Sequence, residues 1–307
     1  MFLHTKGLQF ECKPEQADAL YAMKFQEILG GQFGEMTVMM QYLWQGFTCR
    51  MPGKYKDMIM DIATEEIGHV EMLTTMLARL LEGAPAEVVE KSVAANPVLA
   101  AVIGGMNPQH AIVSGGNALP RDSQGVPWNA GYIVASGNLL ADFRSNVAAE
   151  AQSRVMTSRL YNMTDDHGVK QTLAFNLARD TFHQQQWLRG IEQLVADGLV
   201  ESEIETSNAE FENEEAGRTY YGFDPDSQAH EGMWANGRTM LGDADVNYVV
   251  NPAPSADDGM LPPPDPKLFV TYDGNAGTPK TGDAAGAHLQ GAQNVVSKVK
   301  DKLTPDE

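Results

Sequence analysis

Two carboxylate–histidine couples recur in the sequence at the same spacing, Glu66-x-x-His69 and Asp180-x-x-His183. Residues three apart share a helix face, so each couple would offer an oxygen and an imidazole nitrogen side by side. Glu35 and Glu150 stand alone, but each falls where an apolar residue is expected. Taken singly, none of the six is informative. A Glu-x-x-His pair on an exposed helix is only a neighbouring pair of polar side chains, and a lone inward histidine is more often a satisfied core residue than a ligand. Together they carry weight, because burying several carboxylates without compensation is prohibitive. Few basic residues are placed to offset them, Arg154 and Arg179 being the nearest candidates. Divalent or trivalent cations would neutralise the acids and keep them deprotonated. One Glu from each of two helices plus a carboxylate-x-x-His from each of the other two is the ligand pattern of di-iron and di-manganese bundles. Oxygen and imidazole donors without thiolate suit manganese or iron.

The elements that must position these residues are legible in the first two-thirds of the chain. Apolar spacing predicts helices over about Glu15 to Gln45, Lys54 to Gly83, Gly131 to Met163 and Gly168 to Asp197. On the second, Ile59, Ile62 and Ala63, then Leu73, Leu77 and Leu80, form a stripe with Glu66 and His69 in its middle. On the third, Leu139, Phe143 and Val147 lead to Glu150. On the fourth, Asp180 and His183 interrupt Val169, Leu173, Leu177, Trp187, Ile191 and Leu194. On the first, Glu35 sits among Met36, Met39 and Met40, with Tyr42 beyond on the same side. A long Gly-, Asn- and Pro-rich connection from about Pro85 to Pro127 separates two helical pairs, the second joined by a short turn. That connectivity predicts an all-α core, a ferritin-like four-helix bundle with one long crossover.

The expected division is a bundle domain over residues 1–200 and a largely irregular remainder over 201–307. Residues 201–215 hold seven glutamates and no basic residue, a solvated loop. From Asn251 onward lie eight of the 16 prolines, too polar and too broken to build a core. The chain has 307 residues and a formal charge of −19, with 41 acidic residues against 22 basic ones. A field of that sign disfavours nucleic acid and anionic membrane surfaces. No stretch approaches the roughly 20 apolar residues of a bilayer span. Cys12 and Cys49 form no metal-type pair and read as reduced thiols, so cytoplasm is the expected compartment. The 16 methionines read as core filler.

Four stretches carry a family resemblance: the opening MFLHTKGLQFE, then GGQFGEMTVMMQY, DIATEEIGHVEML, and WNAGYIVASGNLLADF leading into Glu150. Over about residues 1–200 the sequence resembles a manganese catalase. The resemblance implies disproportionation of hydrogen peroxide at two manganese ions cycling together between +2 and +3. It implies one histidine per ion (His69 and His183), a bridging Glu66, and Glu35 and Glu150 as terminal ligands. Tyr42 would hydrogen-bond a ligand carboxylate. A homohexamer with embracing C-terminal arms would account for the tail.

Departures from the family pattern are also present. Asp180 stands where some relatives have a longer glutamate, and is expected to relay protons beside the cluster without ligating it. Ala149 and Thr157 occupy positions where some relatives carry a basic side chain, which leaves Arg154 as the nearby cation. Asp57 and Asp61 match a pair that binds calcium at a subunit contact in the family; the alternative is acids complementing a helix dipole. Two other readings of the same bundle stay open: a di-iron oxidase or peroxidase ligated directly by Asp180, and a non-enzymatic metal-storage or structural protein.

Overall fold

The computed structural model describes residues 4–5, 7–51, 53–82 and 112–254. Five helices form its core: α1 (Ala19–Gly30), α2 (Glu35–Thr48), α3 (Gly53–Leu80), α4 (Leu139–Tyr161) and α5 (His167–Ala196). The side chains of Asp18, Asn138 and Asp166 open α1, α4 and α5 by accepting from Tyr21, Ala141 and Val169 backbone N–H groups. These N-caps satisfy donors that the helices cannot pair internally.

The single first helix expected over Glu15 to Gln45 is two helices. Gly30 and Gly34 explain the break. A Cβ on Gly30 would lie 2.2 Å from the Arg121 carbonyl oxygen, and one on Gly34 would lie 2.7 Å from that of Ile28. Backbone packs where side chains would stand, and the helix restarts at Glu35. The third helix also starts later than expected, at Leu139. Upstream of it, Ala130–Tyr132 form a single 3-10 turn. Asp142 then accepts from the Ser136 backbone N–H and hydroxyl and from the Gly137 N–H, holding the preceding segment off the helical path.

Together α1 and α2 pack on α3, while α4 packs on α5; the two hairpins face each other through α1 and α2 against α4, and α3 against α5. This is the expected bundle, with its first helix broken. The core has two lobes. One gathers Phe25, Ile28, Met72, Met76, Leu77 and Leu173; the other gathers Tyr42, Ile59, Phe143, Trp187 and Ile191. Along α3 the order is Ile59, Ile62 and Ala63 in one lobe, Glu66 and His69, then Met72 and Leu73 in the other. The polar residues form a layer between two apolar lobes.

The chain divides into two compact units, Met1–Asn213 and Glu214–Glu307, the second described as far as Pro254. In the second, strands β1 (Thr219–Gly222) and β2 (Asn247–Val250) pair in parallel, with Tyr220 stacked on Tyr248. The glutamate run of 201–215 is largely exposed. The expected stop at Gly83 and Pro85, the connection up to residue 111, and the tail beyond residue 254 lie outside the described residues. Cys12 and Cys49 are free thiols. No described helix is long and apolar enough to cross a membrane.

Candidate metal centre

Each helical segment delivers its part of the polar layer. The break after α1 makes Glu35 the first residue of α2, where unpaired backbone N–H groups favour a carboxylate. Helix α3 brings Glu66 and His69, α4 brings Glu150, and α5 brings Asp180 and His183, all buried. Glu66 lies at the centre. Its Oε2 is 2.7 Å from His69 Nδ1 and its Oε1 is 2.6 Å from His183 Nδ1. The two imidazole rings stack with centroids 5.6 Å apart. Glu35 Oε2 is 3.6 Å from His69 Nδ1, and Glu150 Oε1 is 3.9 Å from His183 Nδ1.

The arrangement passes a chemical test for metal. Glu66 Oε1 and His183 Nδ1 nearly touch, yet among the described residues both are buried atoms without a hydrogen-bond partner, as are Glu35 Oε2 and His69 Nε2. Buried polar atoms left unsatisfied are costly and demand an explanation. Donor atoms of Glu66, His69 and His183 lie within 4.8 Å of one another, as do those of Glu35, His69 and Asp180. His69 falls in both groups.

Electrostatics agree. Burial, then the neighbouring Glu66 charge, pushes the Glu35 carboxyl up to about 7. Burial, with Glu66 and Asp180, also raises Glu150 well above its ordinary range, and burial, with Glu35 and Glu66, raises Asp180. Burial opposes charge on His183, but the carboxylates of Glu65 and Glu66 outweigh it and hold the imidazole at about 10. A metal-free site therefore holds excess protons, which cations would displace.

The surrounding side chains are specific. Tyr42 donates a 2.6 Å hydrogen bond to Glu150 Oε1. Ser153 donates to Asp180 Oδ2 at 2.9 Å, and Asn176 reaches Asp180 Oδ1 at 3.1 Å and Glu35 Oε1 at 2.8 Å. Arg154 hydrogen-bonds Gln184 at 2.8 Å and, among the described residues, pairs with no carboxylate. Asp57 and Asp61 are exposed one turn apart on α3, away from the buried layer. Neither lies in the first turn of α3.

Sequence reasoning missed Glu65. It hydrogen-bonds His183 Nε2 at 3.1 Å and lies 3.6 Å from His69 Nε2, on the side of the rings away from Glu66. Arg179, one of the two basic residues noted in the sequence, makes two contacts to Glu65 of 2.6 and 3.0 Å. The only signal available was the adjacent acid pair Glu65-Glu66 one turn before His69.

The family model for manganese-containing catalases matches residues 1–281. The chain belongs to the manganese catalase family. A manganese catalase from Bacillus subtilis is 50% identical over 275 residues, covering 89% of this chain and 99% of that protein. An uncharacterized Bacillus subtilis protein, YjqC, is 52% identical over 259 residues, covering 83% of this chain and 91% of its own length. Among solved structures, the manganese catalase KatB from Anabaena superposes with a TM-score of 0.63 at 27% identity, covering 82% of this chain and all of that one. Members of the manganese catalase family are enzymes, and the bundle described above is the fold they share.

Proposed function

We propose that this chain disproportionates hydrogen peroxide to water and dioxygen at two manganese ions held by Glu35, Glu66, His69, Glu150 and His183. The observation that carries this reading is Glu66: one carboxylate with an oxygen 2.6–2.7 Å from a nitrogen of each of two histidines is placed to bridge two ions. A manganese pair cycling jointly between +2 and +3 supplies or accepts the two electrons that peroxide exchanges in each half-reaction. The chain's own residues supply position and protons. Tyr42 fixes the Glu150 carboxylate by its hydrogen bond. Asp180, held by Ser153 and Asn176, accepts and returns the substrate proton.

The same reading extends to assembly. The assembly in this reading is a cytoplasmic homohexamer, and the exposure of Phe223, Met233, Trp234 and Met240 in the second unit supports contact of that unit with neighbouring copies. Calcium at Asp57 and Asp61 would complete its oxygen shell from such a neighbour. Sedimentation returning a monomer would remove both points.

Elemental analysis of purified protein beside an oxygen electrode tests the function. About two manganese ions per chain are expected, the nuclearity of this ligand class. Dioxygen should evolve from peroxide without a reductant and in the presence of cyanide, and His69→Ala or His183→Ala should bring the rate near background. A single zinc, a haem band, or full activity in a metal-free histidine variant would sink the reading. A requirement for reductant would point to the di-iron peroxidase, and many metals per chain to storage; membership of the manganese catalase family favours neither.

A further inference from the structure

We propose that Glu65 is a positioning residue shared by the two metal sites, one carboxylate that orients both histidines, so that the affinity for each ion depends on it. The proposal rests on the dimanganese reading above.

Both histidines turn Nδ1 toward Glu66 and Nε2 away from it. A neutral imidazole that donates a lone pair from Nδ1 carries its proton on Nε2, and that N–H needs an acceptor to fix tautomer and ring angle. Glu65 turns one oxygen toward each ring: Oε2 accepts from His183 Nε2 at 3.1 Å, and Oε1 stands 3.6 Å from His69 Nε2, just beyond hydrogen-bond distance of a nitrogen that has no hydrogen-bond partner among the described residues. The carboxylate is itself held. Arg179 grips both oxygens with a guanidinium fork, and Gln9 donates to Oε1 at 2.8 Å. A simple α3–α5 ion pair would need the arginine alone. Here the acid also bonds one ring and faces a second, from two different helices.

The consequence concerns coupling. Removing a terminal ligand such as Glu35 strips one ion of one donor. Removing Glu65 releases both rings at once. Glutamine at this position has one acceptor oxygen, so it could serve one ring and would present an N–H to the other.

The test measures manganese binding to the metal-depleted full-length protein, reading free Mn²⁺ by its EPR signal at dialysis equilibrium. In Glu65→Ala both binding steps should weaken by about 10–100-fold, the cost of losing such an orienting partner. Glu65→Gln should weaken one step more than the other, Glu65→Asp should recover part of both, and Glu35→Gln should affect one step only. Arg179→Lys keeps the charge without the fork, and should shift both steps in the same direction as Glu65→Ala. Melting of the metal-free variants separates lost orientation from misfolding; if Glu65→Ala does not fold, the isosteric Glu65→Gln carries the comparison. Wild-type loading in Glu65→Ala, or loss of a single step, would overturn the proposal while leaving the dimanganese reading intact. A wild-type chain that binds no manganese would overturn both.

Discussion

Asp180 is a short acid in a position that needs reach, and its neighbours determine what it does. Ser153 and Asn176 occupy its two oxygens, and Asn176 ties it to Glu35. A carboxylate already satisfied by hydrogen bonds is better placed to exchange a proton than to leave its partners for a metal. Asp180→Asn is therefore expected to keep its manganese and lose about 100-fold or more of its turnover, within the range for a positioned acid–base group. The residual rate should depend more weakly on pH. An Asp180 oxygen found at about 2.0–2.3 Å from manganese, a bonding distance, would reverse the assignment. Asp180 and the five proposed ligands stood out in the sequence because charge on an apolar stripe is conspicuous. Glu65 did not, because it lies at the edge of its helix's inner face, where a charged residue is ordinary, and Arg179 was named only as a nearby cation without a partner. Their significance arises only when α3 and α5 are laid together. Arg154 reaches across the bundle to Gln184, a partner that proximity along α4 does not reveal.

At the scale of helices, the sequence was clearest for α3 and α5, whose stripes are apolar except at the site. It was least clear for α4. The buried face of that helix is mostly polar, with Asp142, Asn146, Glu150, Ser153 and Thr157 inward, while Leu139 and Val147 of the expected stripe are only half-buried. Asn146 is consumed by buried amides, accepting from Gln41 at 2.8 Å and Gln45 at 2.9 Å, so its polarity is structural. Apolar periodicity also ran straight through Gly30 to Gly34 and concealed the break, whose cause is a backbone more than 80 residues away. Gly30→Ala tests that cause. Its Cβ would stand 2.2 Å from the Arg121 carbonyl, and backbone must shift to admit it. Overpacking of this kind costs about 1–3 kcal/mol. A clear fall in melting temperature is expected, together with weaker manganese binding, because Glu35 sits at the start of the next helix. A variant that melts and loads like wild type would show that the loop is not what interrupts the helix.

For the whole molecule, the buried acids and imidazoles make stability depend on pH and on metal together. Glu35 is raised from 4.5 to about 7 in the folded chain, so the folded state binds the extra proton and loses stability as pH rises through that interval. His183 is raised from 6.5 to about 10, and its contribution, complete below 6.5, disappears as pH rises through 10. Both slopes have the same sign. Metal-free protein should melt at a lower temperature at pH 9 than at pH 6, whereas a stability that is flat or rising over that range would contradict the account. Manganese should restore the alkaline loss. Free metal at 100 times its dissociation constant adds about 2.7 kcal/mol per independent site. Glu65 and Glu66 are held below the ordinary carboxylate range and oppose this trend only in acid, where their protonation removes stability.

The division of the site between two hairpins has a consequence in time. Glu35, Glu66 and His69 belong to the hairpin of α1, α2 and α3, and Glu150, Asp180 and His183 to that of α4 and α5. Each hairpin is built from contacts between sequence neighbours, which form early; the docking of one on the other spans the long crossover and comes late. While the chain is being synthesised, its first half emerges carrying half a site, two acids and an imidazole with nothing to share. If the proposed dimanganese reading holds, capture of a metal pair would wait until α5 has emerged, and an ion arriving earlier would meet only an incomplete set of donors.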